Sequence, residues 1–199
     1  DTEEDSLHLS DFGRAYYTKQ IEYFGVVEDN QGTVENCNVT MSIDLEGQFY
    51  QRIGGIAIYN KGTIRNCIVN LAVDLTVEGY LCGTELGGIA MSCSGGSSLI
   101  ESCLTLGHFT TSGQQSHKTS FVGIAGLSKE TERCVDSACA MTHAEVVAQN
   151  DYYFSPAFQT YTGTTAGADN CRVADDMTFR HVVTRDSPGD DTNLAINES

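Results

Sequence analysis

Basic residues are scarce in this sequence: 11 Lys+Arg stand against 27 Asp+Glu in 199 residues, a formal charge of −16 with histidine neutral. Such a surface repels phosphate backbones and anionic headgroups, which argues against nucleic-acid binding and against direct adhesion to an anionic membrane. Long apolar runs are missing too. No stretch approaches the roughly 18 consecutive apolar residues of a spanning helix, so no direct membrane insertion is expected. The opening DTEEDSLHLSDF does not read as a signal peptide; a mature secreted chain and a segment of a longer protein would both begin this way. Nor does the chain carry G-x-S-x-G, H-E-x-x-H, C-x-x-C or a P-loop. The motif-borne forms of serine hydrolysis, zinc proteolysis, thiol redox chemistry and nucleotide binding therefore have no support.

What the chain does have is a repeat. FGVVEDNQGTVENCNV at 24–39 recurs as GGIAIYNKGTIRNCIV at 54–69, which places Asn30 on Asn60, Gly32-Thr33 on Gly62-Thr63 and Asn36-Cys37 on Asn66-Cys67. Weaker copies end at Cys103, near Cys134 or Ala138, and at Cys171. With Ala138 as the fourth register position, the spacings are 30, 36, 35 and 33 residues. A period of that size points to a solenoid, propeller or array before any other fold.

Within each repeat the side chains alternate. Cys37, Val39, Met41, Ile43 and Leu45 share one parity, with Asn38, Thr40, Ser42, Asp44 and Glu46 on the other. The second copy does the same, with Cys67, Val69, Leu71, Val73, Leu75 and Val77 on the apolar parity. This is the period of a strand with one buried face. Because the parity recurs after a whole repeat, the inward residues can stack only if the strands run parallel. The expected fold is all-β, a right-handed parallel β-helix: a three-sided solenoid of about five rungs with irregular C-terminal loops. Each rung reads as strand, corner, short strand, turn and short strand. The pairs Gly54-Gly55 and Gly87-Gly88 mark corners, through positive φ or close approach of backbones. Asn30-Gln31-Gly32 and Asn60-Lys61-Gly62 read as tight turns. Stacked Asn30/Asn60 and Asn36/Asn66 suit either axial amide ladders or local Asx turns.

Eight cysteines are present. Cys37, Cys67, Cys103 and Cys171 track the repeat, and equivalent side chains on successive rungs point the same way rather than at each other. A buried column of free thiols is expected. Cys134 and Cys139 are less constrained and leave a local bridge open.

By domain, residues 1–23 read as an N-terminal cap or irregular first rung, 24–183 as the β-helix, and 184–199 as a tail or linker to a further domain. The stretch GGIAIYNKGTIRNCIVN resembles the GLUG-type repeat of extracellular bacterial surface proteins. Gly54-Gly55-Ile56-Ala57, Asn60, Gly62, Ile64 and Asn66-Cys67 match that pattern, and Ile58 stands where a third glycine is expected. The resemblance implies a β-helix, an extracellular or bacterial cell-surface location, and further domains in the parent chain. On activity it is almost silent.

Candidate chemistry comes from the residues themselves. Asp169, Asp175 and Asp176 flank the last Asn-Cys position and follow the aromatic insertion holding Tyr152, Tyr153 and Tyr161. Glycoside hydrolysis needs two carboxylates about 5 to 9 Å apart and often a sugar-stacking aromatic face. A straight strand would put residues 169 and 175 roughly 20 Å apart, so a corner or a partner such as Glu101 or Asp136 is required. Asp186, Asp190 and Asp191 in DSPGDD suit calcium as hard oxygen ligands, although no cofactor is required. His108, His117 and His143 are too dispersed to define a metal site. The aligned pair Asp44/Asp74 either recruits a cation or costs a little stability. Function is therefore expected to be that of an extracellular scaffold or a glycan- or surface-recognition module, with carbohydrate or a host or bacterial surface protein as partner. The alternative is a glycan-active β-helix enzyme, a glycoside hydrolase or lyase.

Overall fold

The computed structural model describes residues 19–77, 82–113, 119–127, 132–148, 154–155, 158–160 and 167–183. Every regular element among them is a β-strand, and the chain winds as a right-handed parallel β-solenoid. Each rung visits four sides in turn. The first side stacks Lys19–Phe24, Phe49–Gly54, Gly83–Gly87, Ser120–Val122 and Phe154–Ser155; the second stacks Val27–Asn30, Ala57–Asn60, Ala90–Cys93, Ala125–Leu127 and Phe158–Thr160. The third side stacks Thr33–Glu35, Thr63–Arg65, Leu99–Glu101, Arg133–Val135 and Ala168–Asp169. The fourth and longest stacks Asn38–Gly47, Ile68–Val77, Leu104–Ser112 and Ala138–Ala148, with Arg172–Val173 and Thr178–Val183 both laid on Ala138–Ala148.

Four sides replace the three expected from the sequence, and the added one is the first. It is hidden because Gly47 (φ 146°) breaks the long alternating run, and the next strand, FYQRIG, lacks a clean apolar parity. Gln51 points inward and is fully buried, accepting a hydrogen bond from Thr84 Oγ1 at 3.0 Å, while Tyr50 and Arg52 are only half-buried outside. The same finding draws residues 19–23 into the stack, since Lys19–Phe24 pairs residue for residue with Phe49–Gly54.

Side-chain columns run along the axis as the alternation requires. Asn38 pairs with Ile68 and Gly47 with Val77, so Val39 stacks on Val69, Met41 on Leu71 and Ile43 on Val73. The second-rung members of these columns are fully buried. Further along, Phe109 stacks against Phe121 with ring centroids 5.2 Å apart, and Phe121 packs on Phe179 at 5.8 Å, which fills the wider late rungs.

The thiol column is real, with one register correction. Leu104 pairs with Ile68 and with Ala138, and Ala138 pairs with Arg172, so the column reads Cys37, Cys67, Cys103, Ser137, Cys171. The fourth position is Ser137, one residue before Ala138. A one-residue slip would invert the faces, and the structure keeps Cys139 and Met141 inward. Ser137 makes the same local bond as the thiols. Its Oγ donates to Val135 O at 2.9 Å, as Cys67 Sγ does to Arg65 O at 3.2 Å and Cys103 Sγ to Glu101 O at 3.3 Å.

The residue before each column member is left-handed: Asn36, Asn66, Ser102, Asp136 and Asn170 have φ between 49° and 57°. Asn36 and Asn66 form no amide ladder with each other; they are exposed corner residues, and Asn tolerates this conformation better than most L-residues. Asn30 and Asn60 do form one. Asn30 Nδ2 donates to Asn60 Oδ1 at 2.8 Å, and Asn60 Nδ2 continues to Cys93 Sγ at 3.9 Å. Their Oδ1 atoms also accept the N–H groups of Gly32 and Gly62 at 3.1 and 3.3 Å, so ladder and Asx turn coexist.

The paired glycines are needed for close approach. A Cβ on Gly55 would lie 1.9 Å from Gly88 O, and one on Gly88 would lie 2.0 Å from Gly123 O. Gly88→Ala should accordingly lower stability by at least about 2 kcal/mol in urea unfolding, because backbone must move. Gly32→Ala, with nothing within 4 Å of its Cβ, should stay within about 0.5 kcal/mol. At the left-handed corner, Asn66→Gly should be near neutral while Asn66→Val costs about 1–2 kcal/mol by the same measurement.

Candidate functional site

Several sequence candidates lie outside the described residues: Tyr152, Tyr153, Tyr161, His117, Asp186, Asp190 and Asp191. The aromatic insertion around them is not wholly an excursion, since Phe154–Ser155 and Phe158–Thr160 continue the first and second sides. Asp169 ends a third-side strand, and Asp175 and Asp176 occupy the turn between Arg172–Val173 and Thr178–Val183. The left-handed Asn170 does put a corner between them. All three carboxylates are exposed, however, and burial is what holds one member of a hydrolytic pair protonated. Glu101 is half-buried on the third side, and Asp136 accepts a hydrogen bond from Asn170 Nδ2 at 2.5 Å. Among the described residues, no group of three or more His, Cys, Asp or Glu is gathered to hold a metal ion. No helix among them is long and apolar enough to cross a membrane.

A dense polar cluster among the described residues lies apart from all the sequence candidates. It sits outside the first side, where Glu22, Arg52 and Glu85 are register partners on successive rungs. Arg52 Nε donates to Glu85 Oε2 at 3.1 Å, and Nη1 donates to Glu22 Oε1 at 3.3 Å and Tyr59 Oη at 2.8 Å. Tyr50 Oη donates to the same Glu85 oxygen at 2.5 Å, and the guanidinium lies 5.5 Å from the Tyr50 ring centroid. Glu85 is 3% exposed. Burial, and then the Glu85 carboxylate beside it, push the Tyr50 phenol well above its ordinary range. A carboxylate held by a guanidinium and a phenol is a poor general base, and the cluster is better suited to joining rungs. Sequence does contain its signal: opposite charges separated by one repeat, as also in Lys61–Asp29 (2.6 Å) and the Arg65–Glu35 ion pair.

The outer face of the fourth side is the broadest regular surface. Its rows run Thr40, Asn70, Leu106, Ala140; Ser42, Ala72, His108, His143; and Asp44, Asp74, Thr110, Glu145, Arg180. A bulge at Thr142 makes His108 and His143 register partners. His108 Nε2 lies 2.9 Å from Asp74 Oδ2, so the aligned Asp44/Asp74 pair acquires a protein partner. Further on, His143 lies 3.5 Å from Glu145, which also takes Arg180 at 2.8 Å. Along the edge of Asn38–Gly47 that pairs with no described strand, Tyr23, Phe24, Met41, Ile43 and Leu45 line a groove of about 320 Å³ with Ser42 and Asp44. Its walls are largely core residues left half-covered at the first described rung.

Arg52→Met should cost about 2–4 kcal/mol in urea unfolding by removing the cation beside the buried Glu85 carboxylate, and adding Glu85→Gln should recover part of that loss. Comparison with protein-family models, with curated protein sequences and with solved structures returns no match.

Proposed function

We propose that the chain is a rigid scaffold module of a larger extracellular bacterial surface protein, with the outer fourth side as its recognition face. The observation that carries this reading is where the polar side chains spend their bonds. The Asn30–Asn60 ladder, the ion pairs of Arg52, Lys61, Arg65 and Arg180 and the His108–Asp74 hydrogen bond all join one rung to the next. Bonding of this kind stiffens a rod along its axis, and it does not converge on a reacting centre. The resemblance to the GLUG-type repeat supports a cell-surface location, and binding rather than turnover is the activity such a rod would present.

The fourth side suits an extended partner. Its strands of nine to eleven residues make a face roughly 30 Å across. Its small hydroxyl, amide and imidazole groups, flanked by exposed Ile68, suit carbohydrate or a surface protein.

Immobilised protein should retain members of a panel of mucin-type and plant oligosaccharides without cleaving them. Asn70→Lys combined with Thr110→Lys should weaken retention at least about 10-fold, equivalent to about 1.4 kcal/mol. Arg133→Glu, on the third side, should leave retention unchanged. Cleavage of any panel member, abolished by Asp169→Asn or Asp176→Asn, would overturn the scaffold reading in favour of a glycan-active enzyme.

A further inference from the structure

Cys134, Cys171 and the column residues Cys37, Cys67 and Cys103 are free thiols, but they are not equivalent. Two column residues reach back to the inward third-side residue of the rung before. Cys103 Sγ thus reaches Ile64 O at 3.7 Å, and Cys171 Sγ reaches Cys134 O at 3.3 Å. The third-side residues at this phase are Val34, Ile64, Ile100, Cys134 and Ala168. Hydrocarbon therefore lies over the earlier column members. Of these third-side residues only Cys134 brings a sulfur, and its Sγ lies 3.3 Å from Cys171 Sγ. Cys134 is fully buried, whereas Cys171 is only half-covered.

We propose that Cys134 and Cys171 form an oxidisable dithiol site, converted by an external disulfide into an intrachain bond that ties the rung at 167–173 to the rung before it. Joining the sulfurs at the usual bond length of about 2.0 Å requires an approach of about 1.3 Å from their 3.3 Å separation. The ladder already joins these two rungs, with Cys134 N–H donating to Gly167 O at 2.7 Å and Arg172 N–H to Ser137 O at 3.0 Å.

The chemistry is ordinary exchange and balances with the oxidant. The Cys171 thiolate attacks one sulfur of the external disulfide, forming a mixed disulfide and expelling one thiolate. Cys134 then loses its proton and attacks Cys171 Sγ, expelling the second thiolate. The protein gives up two protons and two electrons, and the oxidant leaves as two thiols. The order follows from access and acidity. The Cys134 thiol beside it holds the Cys171 thiol below the usual cysteine range, and the same contact, with burial, holds Cys134 above it. Elsewhere in the core, burial pushes Cys93 and Cys103 up to about 12, which removes them as early nucleophiles.

The test uses the full chain, reduced, desalted and exposed to oxidised glutathione, with intact mass and peptide mapping as readouts. The expected product has lost two hydrogen atoms, and its dominant linked peptide joins Cys134 to Cys171. Cys134→Ser should stop at one glutathione on Cys171, whereas Cys171→Ser should form neither that adduct nor the bond. Wild-type protein that retains its folded circular-dichroism spectrum overturns the proposal if it accumulates persistent glutathione on Cys171. It does so equally if it links other cysteines predominantly, or remains fully reduced.

Discussion

Parallel stacking in register is the constraint on which the rest of this molecule depends. A backbone N–H on one rung finds its acceptor on the next, so each residue lies directly above the residue one repeat later. The consequence is chemical as well as geometric. Whatever occupies a given phase must be compatible with its own kind about 4.8 Å away. Asn satisfies this by donating and accepting at once, as Asn30 and Asn60 do. Glycine satisfies it where backbone lies on backbone, as at Gly55 beneath Gly88. Aliphatic side chains satisfy it by packing, and the Val39–Val69 and Ile43–Val73 columns follow.

Charged residues meet the same rule in the opposite way, because like charges at one phase repel. Glu22, Arg52 and Glu85 alternate in sign along one column, and Asp29 and Glu35 take their cations from the following rung. Where the sign does not alternate, at Asp44 and Asp74, His108 of the third rung closes on Asp74. A strongly acidic chain thus devotes much of its small basic complement to axial bonds. Rung-to-rung cohesion of this kind makes the stability of a solenoid a sum over neighbouring contacts, weakest where a rung has one neighbour. Among the described residues the first rung has one neighbour, and there Val39 and Met41 are half-buried, whereas Val69 and Leu71 beneath them are sealed.

The winding was legible because it is written twice with little change. The copies at 24–39 and 54–69 differ by no insertion, so the parity of their strands and the positions of Cys37 and Cys67 could be read directly. Legibility failed where a corner or an insertion interrupts the count. The side beginning at Phe49 carries a buried Gln51 and a half-buried Arg52, which erase the apolar alternation. The fourth rung lost its Asn-Cys marker to Asp136-Ser137, and the nearest apolar residue, Ala138, drew the register one position too far. The charge cluster around Arg52 leaves no local motif, because its members are distant in sequence and recur only at the repeat period.

The amino-acid sequence by itself determined that the chain coils, which faces turn inward, and that Cys37, Cys67 and Cys103 share a column, because parity and period are local properties. Only the tertiary structure decided the number of sides, the partners of Arg52 and Glu85, and the meeting of Cys134 with Cys171. Those depend on the angle at each corner and on which side of one rung lies over which side of the next. No pattern confined to a single repeat specifies that relation.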